Sequence, residues 1–301
     1  TEEIDMKDKK VIFADMALIA VAFVWGSGFV ATKSALDHMT PFYILGSRFF
    51  IASTVLALFS VKRLRKATFK DVKAGLVVGI FMFFCYMFQT VGLQYTTVGT
   101  QAFITAANIV MVPFFYWALT RKMPNGFEIT AAMVCFVGVG ILSIDNNLRI
   151  GYGEFLSFLC AVSIALQIVA VGYYAKNVDV YVLSVVQFSL AAVLSLTLAF
   201  LLEPPVVQME SGLLSTLLYL GLFSTMIPFL IQNIAQRYTT STHTAIILSL
   251  EAVFGSLLGV ILLGEGISAK FLIGCTTIFL AVIASETRFA FLKPKKNQTR
   301  A

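Results

Sequence analysis

Long apolar stretches separated by short polar punctuation occupy almost the whole chain. Ten of them, at 11–31, 41–61, 72–93, 98–119, 127–144, 153–174, 180–202, 213–236, 243–263 and 271–291, are candidate helices. Their lengths suit a hydrocarbon core of about 30 Å, which takes about 20 apolar residues to cross. The pattern also repeats. Residues 89–143 overlie 232–286 without a gap at a constant offset of 143: Gln89 falls on Gln232, Tyr95-Thr96-Thr97 on Tyr238-Thr239-Thr240, and Asn108 on Glu251. Each unit holds five spans. Five is odd, so the second unit must cross the membrane in the direction opposite to the first. Two inverted units meeting at a pseudo-two-fold axis place a binding site at their seam. The expected fold is therefore an all-α membrane protein of ten transmembrane helices, two inverted five-helix repeats around a central cavity. The units are 11–146 and 147–291, flanked by 1–10 and a basic tail at 292–301.

Composition agrees with the pattern. Of 301 residues, 58% are hydrophobic and 13% charged, with a mean hydropathy of +0.88; a soluble domain carries about 25% charged residues. The net charge of +6 is explained by its distribution and calls for no nucleic-acid partner. With both termini cytoplasmic, eighteen Lys and Arg fall on the inner side, six of them within 62–73. Lys33, Arg149 and Lys270 fall outside, and Arg48 lies within the membrane. Cytoplasmic loops hold the Lys/Arg excess, so this count predicts an inner-membrane protein with both ends cytoplasmic. The second unit contributes little of that bias. The four cysteines (Cys85, Cys135, Cys160 and Cys275) all fall inside spans with no short-range pairing. They read as small apolar packing residues, and neither a metal nor another cofactor is expected.

The ionisable residues at membrane depth carry the chemistry. Glu251 lies about eight residues into its span, near 12 Å at a rise of about 1.5 Å per residue. A carboxyl group there faces a cavity or a partner and is a candidate for proton coupling or for holding a substrate amine. The alternative is a protonated Glu that only holds the bundle together. Arg48, seven residues into span two, can grip a carboxylate bidentately, snorkel to headgroups, or cap helix carbonyls. Gln187 sits at a similar depth in span seven, measured from the opposite face. Polar residues line up at helical spacing: Gln101, Thr105 and Asn108 in span four, Tyr86 and Gln89 in span three, and Ser163 and Gln167 in span six. Span eight adds Thr225, Pro228, Gln232 and Gln236. Such stripes fit a cavity wall or interhelical hydrogen bonds. Pro228 should bend span eight. Trp25 heads a Gly-Ser-Gly run and either lines the cavity or sits in an interfacial belt. Gly75-x-x-x-Gly79 and Gly255-x-x-x-Gly259 permit close helix contacts, leaving a monomer or weak homodimer. His38 and His243 read as loop residues, and Asp15 as a structural or gating group.

Trp25-Gly26-Ser27-Gly28-Phe29-Val30, then Pro41 and Arg48-Phe49, and later Leu250-Glu251-Ala252-Val253-Phe254 and Leu262-Leu263-Gly264-Glu265, together resemble the EamA-like branch of the drug/metabolite transporter superfamily. The resemblance spans essentially the whole chain. It departs from the family pattern at Ala252, where proline is usual, which removes the proline bend expected in span nine. The resemblance implies a transporter of amino acids, nucleobases, other metabolites or drugs. A cavity with Arg48 as its cationic pole and Glu251 as its anionic pole would suit small polar or zwitterionic metabolites such as amino acids, exported or exchanged by alternating access. The site residues would be Trp25, Arg48, Tyr86, Gln89, Thr105, Asn108, Gln167, Gln187, Gln232 and Glu251. The rival readings are a small-molecule-gated channel or sensor with the same bundle, and a drug or organic-cation exporter. No enzyme is expected: the chain has no H-E-x-x-H, G-x-S-x-G, P-loop or G-x-G-x-x-G motif.

Overall fold

The computed structural model describes residues 2–121, 123, 126–143, 150–204 and 212–287. Lys122, Arg149, the expected unit boundary at 146/147, the end of span ten at 288–291 and the tail lie outside the described residues. The architecture is all-helical. Span one lies within a helix over Glu2–Leu36, followed by Pro41–Leu64 and Phe69–Gly92 as spans two and three. Span four is Val98–Ala106 continued by Asn108–Thr120, and span five is Gly126–Ser143. In the second unit, spans six and seven are Tyr152–Tyr174 and Val180–Leu202. Span eight joins Leu213–Leu218, a wider-wound stretch Tyr219–Met226, and Ile227–Ala235. Span nine joins Ser241–Leu248 and Leu250–Leu263, and span ten is Ala269–Thr287. His243 thus lies in the first turn of a helix and not in a loop; its Nε2 is 3.2 Å from Asp15 Oδ1 in span one.

Local chemistry sets the helix starts, and the repeat reuses it. Thr97 and Thr240, at the repeat offset, both accept a hydrogen bond from the backbone N–H three residues on. Span three opens on a capping box between Thr68 and Asp71. The far ends of spans four and nine also correspond. Arg121 closes one at φ 61° and Gly264 the other at φ 67°. Glycine takes that left-handed turn freely, whereas a side chain pays about 1–2 kcal/mol. Arg121 takes it at the repeat position of Gly264.

The packing of the spans obeys one two-fold pattern. Span two lies along span seven, and span five along span ten. Span one packs on spans eight and nine, as span six packs on spans three and four. Exchanging the units maps the first two contacts onto themselves and the others onto one another. Polar contacts at the span ends sort the loops onto two faces. Arg63 pairs with Asp179 at 2.9 Å, Asp71 accepts from the Asp179 N–H at 2.9 Å, and Asp15 meets His243 there too; this is the face of the 62–73 loop. On the other face Lys33 donates to the Leu93 and Thr96 carbonyls, and Thr96 donates to Glu154. Glu203 and Glu265 also lie there and cap spans two and four. Span one starts on the first face and span six on the second, which is the inversion that five spans per unit require.

Glycines let these helices close on one another. A Cβ on Gly26 would meet Phe254 and the Gly255 nitrogen of span nine at 2.7 and 2.8 Å, and one on Gly79 would meet the Gln187 backbone at 3.0 Å. Both Gly-x-x-x-Gly pairs are spent on contacts within the chain.

Candidate functional site: a cavity at the seam

Spans one, two, three, six, eight and nine enclose a small cavity of about 20 Å³, room for about one water molecule. Trp25, Arg48, Tyr86, Gln89 and Glu251 line it, together with Phe29, Ile164, Ser224 and Phe229. Half of the residues singled out from the sequence therefore converge on one point.

Arg48 is 2% exposed, and its surroundings explain how a guanidinium is held there. Nε donates to Thr225 Oγ1 at 2.9 Å and Nη2 to Ser224 Oγ at 3.4 Å. The guanidinium carbon lies 4.5 Å from the centre of the Tyr86 ring, within the range of a cation–π contact. Tyr86 is itself fixed edge-on by Phe49 and Phe229 at 5.2 and 5.8 Å. Of the five N–H groups of a guanidinium, two are used in this way. No acid pairs with Arg48 among the described residues.

Span eight is wound to serve this site. Pro228 has no N–H, so the Ser224 carbonyl loses the donor an α-helix would supply. Trp25 Nε1 takes that carbonyl at 3.2 Å. The wider turn before the proline is closed by Thr225 Oγ1 donating to the Leu220 carbonyl five residues back, at 2.7 Å. The carbonyl that Pro228 leaves without an α-helical donor thus ties Trp25 to span eight at Ser224, beside Thr225.

Glu251 is 4% exposed and makes no hydrogen bond or ion pair among the described residues; Arg48 is not its partner. It lies just past an interruption in span nine at Ser249, where Ser249 Oγ donates to the Ile246 carbonyl at 2.6 Å. Its repeat mate Asn108 follows a matching interruption at Ala107 and donates to the Thr105 carbonyl at 2.8 Å. Both breaks use a polar side chain that bonds back three residues. Span nine is therefore interrupted without the proline that Ala252 replaces.

The remaining candidates lie elsewhere. Gln232 donates to Gln167 at 3.3 Å and to Gln236 at 3.4 Å, and Gln236 donates to the Ile168 carbonyl at 3.0 Å. This cluster sits in the halves of spans six and eight nearer the 62–73 loop. Gln187 is fully buried, with neither amide atom bonded among the described residues. Thr105 contacts Cys160 at 3.9 Å. None of Thr105, Asn108, Gln167, Gln187 and Gln232 lines the cavity. Ser224 and Phe229 do, and the signal for both was Pro228: the residues on either side of a proline within a span occupy its bend.

Comparison with known proteins accords with this architecture. The profile of the EamA-like transporter family matches twice, at residues 12–144 and 151–286. An uncharacterised transporter of Archaeoglobus fulgidus is 34% identical over 93% of this chain and 87% of its own length. The uncharacterised transporter YoaV of Bacillus subtilis is 23% identical over 91% of this chain and 97% of its own. A crystal structure superposes with a TM-score of 0.69 at 19% identity, covering 93% of this chain and 99% of the other, and supports the fold alone. The chain is a multi-pass membrane transporter. It belongs to the EamA-like family of the drug/metabolite transporter superfamily.

Proposed function

We propose that this chain is a secondary carrier of small zwitterionic metabolites, with amino acids as the type, working by alternating access. One observation supports this above others: Arg48 and Glu251 face the same buried cavity without neutralising each other. Burying an ion without a partner costs several kcal/mol, so the arrangement is best suited to a ligand that brings both charges. A substrate carboxylate would take the free edge of the Arg48 guanidinium and an ammonium group would take Glu251. The surrounding Trp25, Phe29, Tyr86, Ile164 and Phe229 would receive the remainder.

The cavity is too small for such a ligand, and Gln167, Gln232 and Gln236 bridge the helices on the side of the 62–73 loop. Both features favour a carrier that must change shape over an open pore. Glu251, a mid-membrane carboxyl group, is the candidate for coupling transport to protons. The basic loop would lie in the cytoplasm, with the protein in the inner membrane.

The test is a thermal-shift screen of purified protein with amino acids, nucleobases, amines and organic cations, since a ligand stabilises the state it binds. Hits are then taken to counterflow in vesicles. Zwitterions should raise the unfolding midpoint and give saturable counterflow. Stabilisation by cations alone would favour an organic-cation exporter, and flux without counterflow a channel.

A further inference from the structure

We propose that Cys85 and Cys160 form an oxidisable pair whose disulfide ties the two repeats together beside the cavity. Their sulfurs lie 3.6 Å apart although the residues are 75 positions apart in sequence, and both are buried. Cys85 belongs to span three of the first unit and Cys160 to span six of the second, so the contact crosses the seam between repeats. Cys85 is on the cavity wall, while Cys160, with 0% exposure, lies behind it. Thr105 Oγ1 lies 3.9 Å from Cys160 Sγ. Cys135 and Cys275, on spans five and ten, make no such sulfur contact among the described residues. An S–S bond of about 2.05 Å needs the two sulfurs roughly 1.5 Å closer.

The order of events follows from access. The cavity admits a molecule the size of water, and hydrogen peroxide is little larger. The Cys85 sulfur attacks one peroxide oxygen; the O–O bond breaks, leaving Cys85 as a sulfenic acid and releasing one water. The Cys160 sulfur then attacks the Cys85 sulfur; the S–O bond breaks, the S–S bond forms, and the hydroxyl leaves with the Cys160 proton as a second water. Two thiols lose two electrons and one peroxide gains them. Dithiothreitol reverses the step once the protein is unfolded. Because spans three and six belong to opposite units, the bond restrains their relative movement. That consequence for transport rests on the alternating-access reading; the chemistry does not.

The test uses the full chain in lipid vesicles, treated with hydrogen peroxide and examined by intact mass and peptide mapping. The wild type should become lighter by about 2 Da, the loss of two hydrogens on forming a disulfide. Its peptides carrying Cys85 and Cys160 should be linked, and dithiothreitol should restore both. In Cys160→Ala, Cys85 should stop at the sulfenic acid and be trapped by dimedone once the treated protein is unfolded; in Cys85→Ala, Cys160 should stay reduced. The unfolding midpoint of the oxidised wild type should rise above that of the untreated protein, with neither variant responding. Oxidation of Cys135 or Cys275 while Cys85 remains a thiol would overturn the site. A linked pair with an unchanged midpoint would overturn the restraint. A failed ligand screen would leave every one of these readings intact.

Discussion

Arg48 and Glu251 differ in how firmly they are held, and substitutions should separate their roles. Arg48 is stacked and hydrogen-bonded; lysine would keep the charge and lose the planar fork. Arg48→Lys should therefore insert and fold yet weaken zwitterion binding by about 1.5–3 kcal/mol, the size of a charged hydrogen bond. Titrating the thermal shift with the ligand found in the screen measures this, and an unchanged midpoint-versus-concentration curve would remove Arg48 from the site. Glu251→Gln keeps shape and cannot ionise. If coupling runs through this group, the variant loses gradient-driven accumulation while exchange at equal pH survives. If Glu251 only receives an ammonium group, exchange weakens as well, by a similar 1.5–3 kcal/mol. Wild-type pH dependence in this variant would exclude both roles. The sequence made these two residues legible because charge is rare at membrane depth. That they share a cavity was expected from their depth and the repeat; 203 positions separate them in sequence, and the packing of spans one, two, eight and nine brings them together.

At the scale of the helix, the polar stripes carried less than their spacing suggested. A period of three to four residues places Gln232 and Gln236 on one face but does not say whether that face meets a cavity or another helix. Here it meets span six, and Gln167 answers it. The close contacts were easier to read, because a glycine at a helix crossing has a single steric reason. Gly79→Ala pushes a methyl group against the Gln187 backbone and should cost about 1–3 kcal/mol. Gly140→Ala, with nothing within 4 Å of the added carbon, should be neutral or gain up to about 1 kcal/mol from helix propensity. Unfolding in detergent compares the two; equal effects would mean that spans three and seven are not in contact as described. Span nine is interrupted at Ser249 without a proline, where the Ser249 hydroxyl bonds the Ile246 carbonyl.

Across the molecule, topology rests on the basic residues of 62–73 and on the two-face sorting of the loops. Cysteine placed at Gln94 should react with an impermeant thiol reagent added to intact cells, and cysteine at Lys66 only after the membrane is opened. The reverse result would invert the proposed orientation while leaving the fold untouched. The repeat was visible in the sequence because an offset of 143 conserves the helix starts along with the spans. The contact between Cys85 and Cys160 was invisible for the opposite reason: neither has a repeat mate of its own kind.

Glu203 and Glu265 lie in the second unit yet cap helices of the first, at Phe42, Tyr43, Val98 and Gly99. In return, Asp71 of the first unit takes the Asp179 N–H of the second. During synthesis the first five spans would enter the bilayer well before these carboxylates leave the ribosome. Until then the starts of spans two and four carry donors that nothing in their own half satisfies. The waiting half is therefore an orphan, of the kind that membrane quality control removes. Residues 1–146 produced alone should be degraded quickly, and residues 147–301 made in the same cell should lengthen their lifetime in a pulse-chase. A long-lived solitary half would show that the loan of these carboxylates is dispensable.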